Sequence, residues 1–123
     1  MINLNETYTT PEEYEQVTGV ILNLELQGSS DHPENEAQRM VFRVETTMIN
    51  YLKRNYDFTE EKITETDKSL KAFKLAVIWQ IEWFITHGIT TPTAVDEYAR
   101  EHPRFICEAA EDSLHTHGMM NFK

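Results

Sequence analysis

Cysteine, basic residues and long apolar runs are all scarce in this chain, and each shortage narrows the class of protein that it encodes. The single cysteine, Cys107, cannot form an internal disulfide, which favours synthesis in a reducing, cytosolic compartment. The first 16 residues contain neither a basic region nor an apolar run, so we expect no signal peptide. The most apolar segment is interrupted by Lys, Gln and Glu, whereas a membrane span needs about 20 mostly apolar residues.

Acidic residues outnumber basic residues by 21 to 11, which gives a net charge of −10 and a pI near 4.8. Proteins that hold nucleic acid through its phosphates need clustered Lys and Arg, so this balance argues against that class. Arg39, Arg43 and Arg54 fall on one predicted helix face, which keeps nucleic-acid binding open as a weaker alternative.

The length of 123 residues is typical of one domain, and the sequence contains no internal repeat or low-complexity segment. We predict a single helical domain over residues 1–123, with an N-terminal arm at 1–9 and a C-terminal tail at 116–123. The tail carries Met119, Met120 and Phe122, an apolar set that must dock against some surface.

The segment from residue 70 to residue 88 predicts one long helix that is apolar on nearly every side. One stripe of this helix has helical spacing and comprises Phe73, Val77, Ile81 and Phe84. A second stripe comprises Leu75, Ala76, Trp79 and Trp83. Such a helix exposes large aromatic side chains unless it is the central helix of a bundle or buries its second stripe against another protein.

Capping signals and apolar spacing predict further helices on both sides of the central one. A capping box at Thr10 begins a helix over 11–18, with Tyr14 and Val17 as core contacts. A loop at 28–32 precedes a long helix from 33 or 34 to 55, whose inward residues are Met40, Val44, Met48, Tyr51 and Leu52. The last helix is expected over 104–115, with the inward residues Ile106, Ala109, Ala110 and Leu114.

The remaining segments are expected to be short connections. Asp67 is the expected cap of the central helix, and residues 90–93 are expected to form a loop. Residues 95–100 are compatible with a short helix or a short extended piece, and we favour the helix. The total is about four helices with no convincing strand, so the predicted fold class is all-α, a small bundle in one domain.

Five histidines raise the question of a metal site. A helical zinc pair needs a spacing of three or four residues, whereas His115 and His117 are separated by one residue, and His87 and His102 lie elsewhere. We therefore expect no bound metal. A small metal-dependent enzyme stays open as an alternative, on the condition that histidines and carboxylates converge in the fold.

The other candidate reactive groups favour structural roles over catalysis. Cys107 lies in the apolar run 105–107 without a catalytic signature, which favours a buried structural thiol over a nucleophile. The acidic clusters at 12–15, 60–65 and 108–112 favour solvated helix faces over a catalytic carboxylate pair. The chain contains no phosphate-binding loop, nucleophile elbow or dinucleotide fingerprint. We therefore predict that it is not an enzyme and binds no cofactor.

The two tryptophans of the central helix are compatible with two interpretations. Either both pack in the core, or they anchor an interface, because tryptophan is enriched at the energetic centres of interfaces. The two-sided apolar pattern keeps the second interpretation open. Our candidate interface residues are therefore Trp79, Trp83, Met119, Met120 and Phe122.

Three short segments, in this order along the chain, carry a likeness to a known family. The opening TTPEEYEQVTG resembles a T-x-E-E-Y helix followed by glycine, and KAFKLAVIWQIEWFITHGITT resembles a lysine-flanked helix with an A-x-x-x-Q-x-E-[YW] core. That core is represented here by Ala76, Gln80, Glu82 and Trp83. The end, ICEAAEDSLHTHGMMNFK, resembles a terminal A-x-x-x-L-x-x-[ST]-G helix and tail, with matching residues Ala110, Leu114 and Gly118. Together these segments resemble the small head–tail connector, or head completion, proteins of long-tailed double-stranded DNA phages.

One residue and one segment depart from the family pattern. His117 stands where the family commonly has Thr, and a compact, charged segment at 93–105 replaces the Ser/Gly-rich, strand-like insert of many members.

The resemblance implies a structural virion protein with a helical-bundle fold, located at the head–tail junction after assembly in the host cytoplasm. Such proteins dock under the portal as an oligomeric ring, extend the DNA channel and join head to tail. The implied partners are the portal protein and a neighbouring connector or tail protein, and DNA passes through without specific binding. A charge of −10 suits a channel in which DNA must slide without sticking. The main alternative is an acidic helical interaction module that regulates or inhibits a cellular partner.

Overall fold

The computed structural model describes residues 6–26 and 36–121, and all regular structure in these two ranges is helical. The α-helices are α1 Pro11–Thr18, α2 Leu22–Glu25, α3 Glu36–Asn55, α4 Asp67–Thr86, α5 Pro92–Glu101 and α6 Glu108–His115. A 3₁₀ turn at Glu60–Lys62 lies between α3 and α4. Five of the described helices have eight or more residues, so the all-α class is confirmed and the count of about four is only roughly right. The predicted loop at 28–32, the predicted helix start at 33–34, residues 1–5 and Phe122 lie outside the described residues.

Helix α4 is the long apolar helix of the prediction, and it packs between α3 and α6. The first predicted stripe is buried throughout and comprises Phe73, Val77, Ile81 and Phe84. In the second stripe Ala76 is buried, whereas Leu75, Trp79 and Trp83 are half-buried. The chain itself therefore covers most of α4, and the two tryptophans lie where this cover ends.

Helix starts follow local capping chemistry, with one correction to the prediction. The capping box at Thr10 is present, since its side chain accepts the N–H of Glu13 while the Glu13 carboxylate accepts the N–H of Thr10. The cap of α4 is Thr66 and not Asp67. The Thr66 hydroxyl accepts the N–H of Ser69 at 2.9 Å, and the Ser69 hydroxyl accepts the N–H of Thr66 at 3.0 Å. Asp67 is instead the first helical residue, where its negative charge faces the positive helix end.

The region between α4 and α6 differs from the predicted boundaries. Residues 92 and 93 belong to α5 and not to a loop, because Thr91 caps that helix and Pro92 occupies its first position. The last helix begins at Glu108 and not near residue 104, because Cys107 is extended and bonds elsewhere. The short helix predicted at 95–100 is confirmed and is longer, Pro92–Glu101.

Two residues predicted to face the core do not. Val17 is 41% exposed at the end of α1, and Ala109 is exposed in the first turn of α6. In each case the spacing matches the inward stripe of an isolated helix, but no other described element covers that face. Helices α1 and α6 have only about two turns each, so one end of each helix extends beyond the core.

Candidate interaction site

Trp83 is the centre of an aromatic cluster built from the end of α4, from α5 and from residues 102–106. Its ring stacks on His87 with a centroid separation of 3.9 Å and packs against Phe105 at 4.5 Å and Tyr98 at 5.5 Å. Tyr98 stacks in turn on His102, with centroids 4.2 Å apart. Trp83 is only half-buried, so the cluster both fixes α5 on α4 and presents aromatic surface at the outside of the fold.

The two tryptophans have different surroundings. Trp79 is half-buried against the core and makes no ring-to-ring contact with another described aromatic residue. Trp83 contacts several rings of its own chain. Packing therefore accounts for much of the surface of Trp83, and its exposed edge remains the part that a partner can reach.

A groove of about 480 Å³ lies beside this cluster, between α3, α5 and residues 102–106. Its apolar lining includes the buried side chains of Met48, Phe84 and Ile106. The wall formed by α3 adds the hydroxyls of Thr46 and Thr47. This volume lies within the range of about 300–1,000 Å³ that binding sites occupy, and the lining combines apolar side chains with polar and charged ones.

The groove lining includes charged side chains of both signs. Arg54 and Arg100 line it, and Asp96 is the acidic residue of the lining. The carboxylate of Asp96 forms an ion pair with Arg43 of α3, which ties α5 to α3 and neutralises that acid. The lining therefore contains two cationic side chains and one acid, although the whole chain has a net charge of −10.

A hydrogen bond from α4 fixes Cys107, the residue that directly follows residues 102–106. The side-chain carbonyl of Gln80, buried in α4, accepts the backbone N–H of Cys107 at 2.8 Å. The predicted burial of Cys107 is confirmed, and burial raises the pKa of its thiol above the usual value. A raised pKa leaves less thiolate at neutral pH, which disfavours a nucleophilic role.

The apolar tail docks on its own chain, which corrects one part of the predicted interface. Met119 is 0% exposed and Met120 is 3% exposed, so both side chains fill the core. The backbone carbonyl of Asn121 accepts the N–H of Asp57 at 2.9 Å and fixes the segment beside the end of α3. Neither methionine is available to a partner, whereas Phe122 lies outside the described residues.

The histidines within the described ranges are dispersed. His87 and His102 stack on aromatic rings at the cluster, and His115 lies 3.5 Å from the carboxylate of Glu111. Across residues 6–26 and 36–121, no group of three or more His, Cys, Asp or Glu side chains is arranged to hold a metal ion. None of the helices in these ranges has the length and apolar character needed to cross a membrane.

A buried carboxylate that the sequence did not indicate anchors the N-terminal arm. Glu45 of α3 is buried, and its two oxygens accept the backbone N–H groups of Tyr8 at 3.0 Å and Thr9 at 2.7 Å. Burial raises the pKa of Glu45, although the two N–H donors act in the opposite direction. The arm is thereby fixed on α3. In the sequence, the only available signal is an acidic residue next to Val44 on the inward stripe.

A second surface, at the junction of α1 and α2, was also not predicted. Val17, Val20 and Ile21 are 41%, 37% and 48% exposed and lie within five residues of one another. Exposed carboxylates surround them in the sequence, namely Glu12, Glu15 and Glu25. We call these six residues the acidic–apolar corner. Clustered exposed apolar side chains with a polar rim are typical of interaction sites.

Comparison of the chain with models of known families, with characterised proteins and with solved structures finds no match. The features that bear on function are therefore the groove, the acidic–apolar corner and the likeness of three sequence segments to a known family.

Proposed function

We propose that this chain is a structural virion protein, a head–tail connector subunit that docks under a phage portal as part of an oligomeric ring. In this role it extends the DNA channel and presents a surface to the next connector or tail protein. Its place is the head–tail junction, after assembly in the host cytoplasm. The role requires no catalysis and no cofactor.

The observation that carries this proposal is that the three segments of the likeness pack together on α4. The ammonium of Lys74 donates to the carboxylate of Glu13 in α1 at 2.8 Å. Gln80 accepts the N–H of Cys107 at the start of α6, and the Ser113 hydroxyl of α6 donates to the carbonyl of Ala72 at 2.8 Å. The likeness therefore extends over one packed unit, and not over three unrelated fragments.

Charge and surface chemistry support the same role. The net charge of −10 disfavours adhesion to phosphates, which suits a protein that borders a DNA channel. Trp83 offers an exposed aromatic edge beside the groove, and tryptophan and arginine are the residue types that contribute most at protein interfaces. Both features suit a subunit that makes protein contacts while DNA passes.

Native mass spectrometry of the full chain, alone and mixed with the portal ring of its source phage, tests the proposal. We expect many copies bound to each portal ring. A helical protein of similar size and charge serves as the control for non-specific adhesion. A folded chain that leaves the portal ring free at concentrations well above those of assembly would overturn the proposal.

A mobility-shift assay with double-stranded DNA at low salt tests the second part of the role. We expect no shift. Low salt strengthens binding to phosphates, so even a weak DNA-binding site would be detected under this condition. A shift that disappears as salt is raised would instead favour the alternative of nucleic-acid binding through the arginine face of α3.

The acidic–apolar corner favours one other function, an interaction module that regulates or inhibits a cellular partner. Such a module forms one defined complex and no ring. Capture of host proteins by the full chain, compared with capture by an Ile21→Lys variant, distinguishes the two functions. A single host protein that the variant loses, in the absence of portal binding, would favour the regulator.

A further inference from the structure

We infer that the groove between α3 and α5 receives the acidic–apolar corner of a second copy of this chain, in a head-to-tail contact. The inference goes beyond the proposed role because it names the two surfaces that meet. It is tested on the chain alone, without a portal.

The two surfaces are complementary in charge. The corner carries Glu12, Glu15 and Glu25, and none of these carboxylates forms an ion pair with a described residue. The groove is lined by Arg100, and its own acid, Asp96, is already paired with Arg43. Opposed surfaces of this kind fix the register of a contact and exclude wrong partners, even where they add little affinity.

The two surfaces are also complementary in apolar character. The corner presents the branched side chains of Val17, Val20 and Ile21 to solvent. The groove lining includes the apolar side chains of Met48, Phe84 and Phe105, in a volume of about 480 Å³ that can receive side chains of this size. Burial of the three corner side chains removes the largest exposed apolar residues of the described chain from water.

One copy cannot satisfy both surfaces by itself. Ile21 and Ala37 line a common depression at the start of α3, whereas the groove is lined by α3 from Val44 to Arg54. Along the helix axis the groove therefore extends from about 10 Å to about 25 Å beyond residue 37, at 1.5 Å per residue. The buried Leu22 and the Lys74–Glu13 pair hold the corner on the body of the same chain. The corner therefore reaches the groove of another copy and not its own.

Two different surfaces that meet define a heterologous contact. Such a contact leaves one free corner and one free groove on every dimer, so it propagates into a closed ring or an open filament. At about 0.15 M salt the Debye length is about 8 Å, so the repulsion between two chains of net charge −10 is screened beyond that distance. The close pairs between corner carboxylates and Arg100 of the groove are screened less.

Sedimentation velocity of the full chain at about 0.15 M salt measures the contact. We expect the mean mass to rise with protein concentration. The groove variant Arg100→Glu and the corner variant Ile21→Lys each change an exposed side chain, and we expect each to weaken association at least tenfold. Matched charge changes at exposed positions that line neither surface, Lys68→Glu and Glu65→Gln, are expected to associate as the wild type does.

A mixture of the two variants tests the head-to-tail geometry directly. The Ile21→Lys chain keeps an intact groove, and the Arg100→Glu chain keeps an intact corner. We expect each variant alone to stay monomeric and the equimolar mixture to form dimers that grow no further. Circular dichroism and melting temperature of each variant establish that it folds.

Three results would overturn the inference. The first is a wild-type chain that remains monomeric at millimolar concentration, and the second is association that neither variant weakens. The third is a mixture that fails to form dimers although both variants fold, since this excludes the pairing of corner with groove. Portal binding by a monomeric wild-type chain would leave the proposed function intact while removing this contact.

Discussion

Gln80, in the middle of α4, accepts a hydrogen bond at 2.8 Å from the backbone N–H of Cys107, which lies 27 residues later in the sequence. Both residues are buried. Cys107 directly precedes α6, and its own side chain makes no capping hydrogen bond. The amide of Gln80 therefore fixes the extended residue that directly precedes α6.

Replacement of Gln80 by Leu is expected to lower the free energy of unfolding by about 1–3 kcal/mol, because it leaves the N–H of Cys107 buried without an acceptor. Urea denaturation measures the loss, and hydrogen exchange at the Cys107 amide localises it. The exposed Gln16 is the control, and its replacement by Leu is expected to change stability by no more than about 0.5 kcal/mol. Unchanged exchange at Cys107 would contradict this role of Gln80.

Replacement of Met119 by Ala is expected to lower the free energy of unfolding by about 2–5 kcal/mol, since this side chain is fully buried. Deletion of residues 119–123 is expected to be at least as destabilising, and therefore not to leave a stable monomer that merely fails to dock. Thermal and urea unfolding measure both effects. Asn121→Ala is the control, because its side chain is exposed and the carbonyl that bonds Asp57 is retained. A tail deletion that is as stable as the wild type would show that the tail does not contribute to the core and is free to bind a partner.

Helices with local start signals were predictable from the sequence. The capping box at Thr10 gave α1 its observed bounds, and the apolar spacing of 70–88 indicated α4. The same signal occurs at α5, where Thr91 caps and Pro92 follows as in Thr10–Pro11, so the predicted loop at 90–93 is wrong at its last two residues. The misplaced start of α6 has a different cause, because the acceptor that fixes Cys107 lies on another helix.

The candidate site was only partly predictable, for a physical reason. Trp83 could be proposed as a surface residue because it falls on the second stripe of α4. The groove depends on which helices lie side by side, and the pairing of Arg43 with Asp96 joins α3 to α5 across more than 50 positions. The docked tail also depends on tertiary packing, since nothing local to Met119 indicates whether it packs on its own chain or on a partner.

The ion pair between Glu13 and Lys74 is expected to contribute about 0.2–1 kcal/mol, because both side chains are partly exposed. A double-mutant cycle with Glu13→Gln and Lys74→Met measures this coupling, and glutamine preserves the capping box. Burial acts to raise the pKa of Glu13, but the hydrogen bond and charge of Lys74 and the N–H of Thr10 together hold it below its usual 4.5.

The lowered pKa of Glu13 sets the pH dependence of that coupling. The folded chain releases the Glu13 proton more readily than the unfolded chain does, so the stabilisation is complete above the usual value of 4.5. It is lost as the pH falls through the lowered pKa. The coupling measured by the cycle is therefore expected to be present at pH 7 and to disappear in acid. A coupling that persists after the carboxyl is protonated would show that the pair acts through packing and not through charge.

Glu45 is expected to give the opposite pH dependence. Burial raises its pKa above the usual 4.5, so the folded chain holds this proton more tightly than the unfolded chain does. Ionisation of Glu45 therefore lowers the free energy of unfolding as the pH rises from 4.5 through the raised value. The variant Glu45→Gln lacks this titration and also leaves one of the two arm N–H groups without its acceptor.

Urea denaturation of the wild type and of Glu45→Gln between about pH 4 and pH 8 tests this dependence. The variant is expected to be less stable, and its deficit is expected to be largest near pH 4, to shrink as Glu45 ionises in the wild type, and then to stay constant. Met40→Leu, a volume-conserving core change without a titrating group, is the control and is expected to give a difference that does not vary with pH. If the curves of the wild type and Glu45→Gln run parallel, burial does not raise the pKa of Glu45, and the carboxylate then acts only as an acceptor for the arm.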